Sequence, residues 1–209
     1  MTTPSVLIPF RAAGAKSRLS PVLSPRGRAE LCELMLLDVL GALRHAGLAE
    51  ACSVVSPDEG VLSLAAGAGA NAIREPRAAG VNSAVRRGMS AGPSAESFMV
   101  VPSDVPTLRP GEVKHALQVH GEGFGVISPS RGFDGTNLLL FTRRRPIPLS
   151  YDADSFWNHV AGAARAAAPL YVYSAPGLVL DVDTPPDLAA LARSGSRARA
   201  AEFARRVVG

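Results

Sequence analysis

Short apolar runs that stop at proline, glycine or a charged residue alternate along this chain with segments of helical periodicity. That alternation constrains the fold more than any other feature. Ser5–Pro9 is rich in Val, Leu and Ile and ends at proline, as a buried strand does. Similar runs at Ala51–Ser56, Gly69–Arg74, Phe98–Val101, Gly125–Ser128, Asn137–Phe141, Leu170–Ser174 and Leu178–Val182 predict further strands. Between the first two, Ser24 precedes Pro25, the arrangement of an N-cap followed by proline at the first helical position. Leu31, Leu34, Met35, Val39 and Leu43 then recur at helical spacing up to Gly47, a natural helix stop. Helices are also predicted from Pro57-Asp58 and over Asn82–Met89, Pro110–Val119, Asp154–Ala166 and Pro185–Ala192. Strands alternating with helices imply an α/β fold, a mostly parallel sheet with helices on both faces. With 209 residues, no repeat and no linker, the chain reads as one domain over 1–209. Residues 195–209 form a basic tail, predicted as a surface helix with Phe203 and Val207 turned inward.

Composition narrows the function. Hydrophobic residues make up 47%, enough for a full core. The formal charge is +4, but the basic residues gather in short loops without a stripe or interleaved aromatics. A small polyanionic substrate accounts for that balance at least as well as nucleic acid does, and GC-rich coding bias toward Arg and Ala accounts for it equally. Cys32 and Cys52 lie far apart and outside any CxxC spacing, which argues against a disulfide framework or a zinc site. The N-terminus lacks a basic leader, and no segment approaches the roughly 18 apolar residues that span a bilayer. A soluble, cytoplasmic protein without a membrane partner is expected.

Ligands of open α/β sheets bind at the carboxyl ends of strands, so chemistry is sought there. The loop after the first strand carries Arg11, Gly14, Lys16 and Arg18, cations and a flexible backbone able to cradle phosphates; a solvated surface loop is the bland alternative. Asp104 ends an apolar strand between two prolines, where a carboxylate can hold magnesium or simply cap a helix. Asp181 and Asp183 stand two apart, a spacing that puts both on one face of a strand, although Asp183 or Thr184 could equally cap the next helix. Thr136 and Asn137, after a turn, could bind substrate oxygens, although the motif by itself reads first as a tight hairpin turn. Ser155 lies at a plausible helix N-cap, with Phe156 and Trp157 expected to face the core. His45, His115 and His120 read as helix-surface residues without metal-ligand spacing.

In order as well as kind, the segments Lys16–Leu19, Ser103–Pro106, Asp134–Asn137, Asp154–Phe156 and Asp181–Leu188 resemble the phospholactate guanylyltransferase family, over residues 5 to 192. The family makes the dinucleotide-like precursor of the deazaflavin coenzyme factor 420. The resemblance implies a Rossmann-like nucleotidyltransferase fold, and transfer of GMP from GTP to a phosphorylated three-carbon acid with release of pyrophosphate. Lys16 and Arg18 would hold the triphosphate, with Arg11 and Gly14 in the same loop and Asn82 beside the nucleotide. Asp104 and Asp183 would bind magnesium, with Asp181 as the alternative ligand. Thr136 and Ser155 would bind the acid. Where the family has glycine before that serine, this chain has Asp152, which adds bulk and charge to the acceptor pocket. The credible acceptors are 3-phospho-D-glycerate, 2-phospho-L-lactate and phosphoenolpyruvate, and a hydroxyl-bearing acid suits Asp152 best. A homodimer is allowed. The rival readings are a nucleotidyltransferase of the molybdopterin or sugar-phosphate type and a non-catalytic GTP-binding module.

Overall fold

The computed structural model describes residues 3–11 and 16–208. In chain order its elements are β1 (Ser5–Pro9), α1 (Pro25–His45), β2 (Cys52–Ser56), α2 (Glu59–Gly67), β3 (Asn71–Arg74), α3 (Val81–Ala91), β4 (Ser97–Val100), α4 (Pro110–Gly121), β5 (Gly125–Pro129), β6 (Thr136–Thr142), α5 (Ser155–Arg165), β7 (Leu170–Val172), α6 (Pro185–Arg193) and α7 (Arg199–Val208). The seven strands form one sheet in the order β3-β2-β1-β4-β6-β5-β7. β1 pairs in parallel with β2 and β4, β2 with β3, and β5 with β7. Only β6 runs against its neighbours β4 and β5. The expected mostly parallel α/β sheet is therefore present, with one reversed strand.

Both sheet faces are covered, and the central strands show why their sequences are apolar throughout. Val6, Ile8, Met99, Leu138 and Leu140 face a layer of α1, α2, α4, α6 and α7 side chains. Their neighbours Leu7, Phe98, Val100, Leu139 and Phe141 face α3 and α5. Helix ends follow the local chemistry. The Ser24 hydroxyl accepts from the Gly27 amide at the start of α1, and Asp58 accepts from Gly60 and Val61 at the start of α2. Gly47, at φ +89°, supplies the left-handed residue that turns the chain after α1. Gly88 lets α3 lie directly on the sheet: a Cβ there would stand 2.8 Å from Leu7 Cδ2 and 3.1 Å from Val55 Cγ2.

Three expectations fail. Leu178–Val182 is a turn and irregular chain, not a strand. Leu178, Leu180 and Val182 are buried, so the alternating pattern is satisfied by packing. The backbone is instead tied by single bonds, Val182 N–H to the Asp104 carbonyl at 3.1 Å and Asn137 Nδ2–H to the Leu178 carbonyl at 2.8 Å. In α7, Phe203 packs inward with Ala200, Ala201 and Ala204, whereas Val207 is exposed. Trp157 is 57% exposed, leaving Phe156 alone to fill the core.

Candidate active site

A cleft of about 490 Å³ opens at the carboxyl ends of β1, β3 and β4. Because β6 is reversed, its first residues Thr136 and Asn137 arrive at that same edge. Arg11, Lys16, Asp104, Thr136, Asp152, Ser155, Asp181 and Asp183 all line the cleft. Gly14 lies outside the described residues. Arg18 does not line the cleft; its charge helps hold the Asp134 carboxyl below the ordinary range, after the Ser130 hydroxyl bond that dominates. Asn82 stands behind the cleft wall. Its carbonyl accepts from the Tyr151 amide at 2.9 Å and its amide donates to Asp152 at 3.2 Å, pinning the segment that carries Asp152.

Lys16 is the hub. It adopts a left-handed backbone at φ 58°, a conformation costly for a side-chain-bearing residue, at the start of the 3-10 turn Ser17–Leu19. Its ammonium donates to Asp104 at 2.6 Å and to Asp183 at 2.5 Å. Burial pulls the Lys16 pKa down, but attraction first to Asp104 and then to Asp183 outweighs it, so the net shift is upward. Lys16 is thus a permanent cation at working pH. Asp183 is released for this contact because Thr184, not Asp183, caps α6: Asp187 accepts from the Thr184 amide at 2.9 Å and its hydroxyl at 2.6 Å. Asp181 is pushed up to about 6 by burial and by Asp104, opposed by the Asn137 amide. Two carboxylates converging on one cation match what magnesium asks of a protein, which is one or two carboxylates with phosphates and water completing the shell. Among the described residues no three such side chains gather, so two carboxylates are what the protein would offer the ion, with phosphate and water oxygens left to supply the rest.

The other wall is a hydrogen-bond chain. Ser155 is the first residue of α5, not its cap, and is buried. Its hydroxyl donates to Thr136 Oγ1 at 3.1 Å. His159, fully buried, accepts from the Ser150 amide at Nε2 (3.0 Å), which puts its proton on Nδ1, 3.0 Å from Thr136 Oγ1. With Thr136 accepting twice, its own hydrogen is left for a ligand oxygen in the cleft. Burial pulls His159 down to about 4. His159 was invisible to sequence reasoning because its partners lie on β6 and in the segment before α5. Glu75, a buried cleft-lining carboxylate after β3, was also missed. Its context differs from that of Asp104: the strand before it, Asn71–Arg74, is short, mostly exposed and ends in arginine, so no apolar run pointed to it.

Residues 4–208 match the protein family described as guanylyl transferase CofC like. The chain is 41% identical over 187 residues to the phosphoenolpyruvate guanylyltransferase of Rubrobacter xylanophilus, covering 87% of this chain and 89% of that protein. It is 38% identical over 194 residues to the 3-phospho-D-glycerate guanylyltransferase of Phenylobacterium zucineum, covering 90% and 89%. In fold it is similar to a nucleotidyl transferase from Methanothermobacter thermautotrophicus, with a TM-score of 0.66 at 18% identity over 99% of this chain and 100% of that one.

Proposed function

Since the chain belongs to the CofC-like guanylyl transferase family, we propose that it transfers GMP from GTP to a small phosphorylated three-carbon acid. The product would be the dinucleotide-like precursor of the deazaflavin coenzyme factor 420. The observation that carries this reading is the meeting of Lys16, Asp104 and Asp183 in one cleft with Thr136 and Ser155.

In the proposed reaction a phosphate oxygen of the acid attacks the α-phosphorus of GTP in line. The bond from the α-phosphorus to the bridging β-oxygen breaks, and pyrophosphate leaves. A phosphate monoester, with a second pKa of about 6, is already an anion at neutral pH, so no strong general base is needed. His159, neutral and buried, orients Thr136 and takes no proton from the acid. Thr136 and Ser155 position the acceptor, while Arg11 and Lys16 offset the charge on the triphosphate and the leaving pyrophosphate. Asp104 and Asp183 would hold magnesium, which when bound neutralises phosphate charge.

Asp152 favours 3-phospho-D-glycerate among the acceptors. That acid has a free hydroxyl at C2 which can donate to a carboxylate. Phosphoenolpyruvate has none, and in 2-phospho-L-lactate the same oxygen carries the phosphate. Incubation with GTP, magnesium and each acid, followed by mass analysis, should give the guanylylated product, fastest with 3-phospho-D-glycerate. Asp152→Gly should erase that preference. No product with any of the three acids would overturn the activity, and an unchanged preference in the variant would overturn the role of Asp152.

A further inference from the structure

We infer that Glu75 reads the base of the nucleotide, accepting hydrogen bonds from N1–H and the exocyclic amino group of guanine. The inference rests on the guanylyltransferase reading above. Glu75 lies directly after β3 and is only 5% exposed, yet it lines the cleft. Its Oε1 is buried with no hydrogen-bond partner among the described residues. None of the ion pairs among those residues includes it. A buried carboxylate without donors is costly, and such groups are found where a ligand completes them. The backbone is fixed, because the Glu75 amide donates to the Ser56 carbonyl at 2.9 Å and so extends the β2–β3 ladder.

Position in the sheet decides which part of the nucleotide Glu75 meets. Lys16 and Asp104 belong to the ends of the neighbouring central strands β1 and β4, and the proposed acceptor residue Thr136 starts β6 on the far side of β4. β3 lies in the opposite direction, two strands from β1, which is about 10 Å at the usual strand spacing. With the phosphates at Lys16 and the acceptor toward β6, the nucleoside extends toward β3. Phe10 and Ala84 line the cleft, Ala84 packing with Ile73 of β3, and offer apolar surface to a ring.

The chemistry of a carboxylate then selects the base. Guanine presents two adjacent donors that match two carboxylate oxygens. Adenine and cytosine present ring acceptors at the equivalent positions and would meet repulsion. Xanthine has a carbonyl where guanine has the amino group, so it suits an amide, with one acceptor and one donor, better than a carboxylate.

The test is Glu75→Gln, assayed for pyrophosphate release with GTP and with XTP at a fixed acid. The expected result is a fall in kcat/KM for GTP of about 100-fold together with a rise for XTP, inverting the preference. Equal losses with both nucleotides, or no change, would overturn the inference. The parent supplies an independent measurement should the variant not fold: ITP, which lacks the amino group, should react about 10- to 100-fold less efficiently than GTP. Equal use of ITP and GTP would also overturn it. A parent that uses another triphosphate in preference to GTP would instead refute the guanylyltransferase reading, an outcome distinct from either.

Discussion

Acid should weaken this fold through His159. The imidazole has an ordinary pKa of 6.5 when unfolded and about 4 in the fold, where burial disfavours its charge. Between those values the unfolded chain binds a proton that the folded chain refuses, so stability is complete above 6.5 and is lost as the pH falls toward 4. At about 1.4 kcal/mol per unit, the drop from about pH 7.5 to about pH 5 costs about 2 kcal/mol. Asp181, raised to about 6, acts in the opposite direction, since its folded form takes up the proton more readily. Comparison with His159→Gln removes this offset, because Asp181 is common to both proteins. At about pH 7.5 the variant should be less stable by about 2 kcal/mol, through weakened bonds to Ser150 and Thr136. By about pH 5 that gap should close, because the parent alone has lost the histidine contribution. Urea unfolding of both proteins at the two pH values measures it. A gap that stays constant would refute a buried neutral imidazole.

Asp104→Ala and Asp183→Ala should each lower turnover by about 100- to 1,000-fold while leaving the far-UV spectrum unchanged, since each removes one of two carboxylates facing Lys16. Substantial activity in either variant would remove it from the proposed metal set. Gly88→Ala should destabilise by about 2 kcal/mol, lowering the melting temperature by about 4–8 °C, because its methyl would press on Leu7 and Val55. An unchanged melting temperature would mean that α3 slides on the sheet at little cost.

The order of strands and helices was legible because each central strand is buried on both faces and several helices begin at a recognisable cap, as α1 does at Ser24, α2 at Asp58 and α6 at Thr184. β1 was read with its observed bounds, Ser5–Pro9, as was the proline start of α1. The reversal of β6 was not legible, since an apolar strand looks the same in either direction. Leu178–Val182 misled because burial of alternate side chains does not require a ladder, and that segment is held by Asn137 and Asp104 from elsewhere in the chain. Acids and cations at strand ends could be named singly as Lys16, Asp104 and Asp183. Their convergence joins residues 88 and 167 positions apart, a relation no local pattern contains. The choice between Asp183 and Thr184 as helix cap was likewise open until Asp187 was seen to bind Thr184.

The backward course of β6 bears on how such proteins diversify. Thr136, Asp152, Ser155 and the supporting His159 come from one contiguous stretch, a strand followed by a loop and a helix start. Arg11, Lys16, Glu75, Asp104 and Asp183 are scattered across the chain and anchored to other elements. Substitutions in the contiguous stretch reshape one side of the cleft and leave the other as inherited. On the proposed roles, a lineage could exchange one acid for another by small edits to a single cassette, while the scattered half kept its nucleotide. Relatives as similar to this chain as 41% and 38% identical carry the names of different acids, which is the outcome such a division of labour would produce.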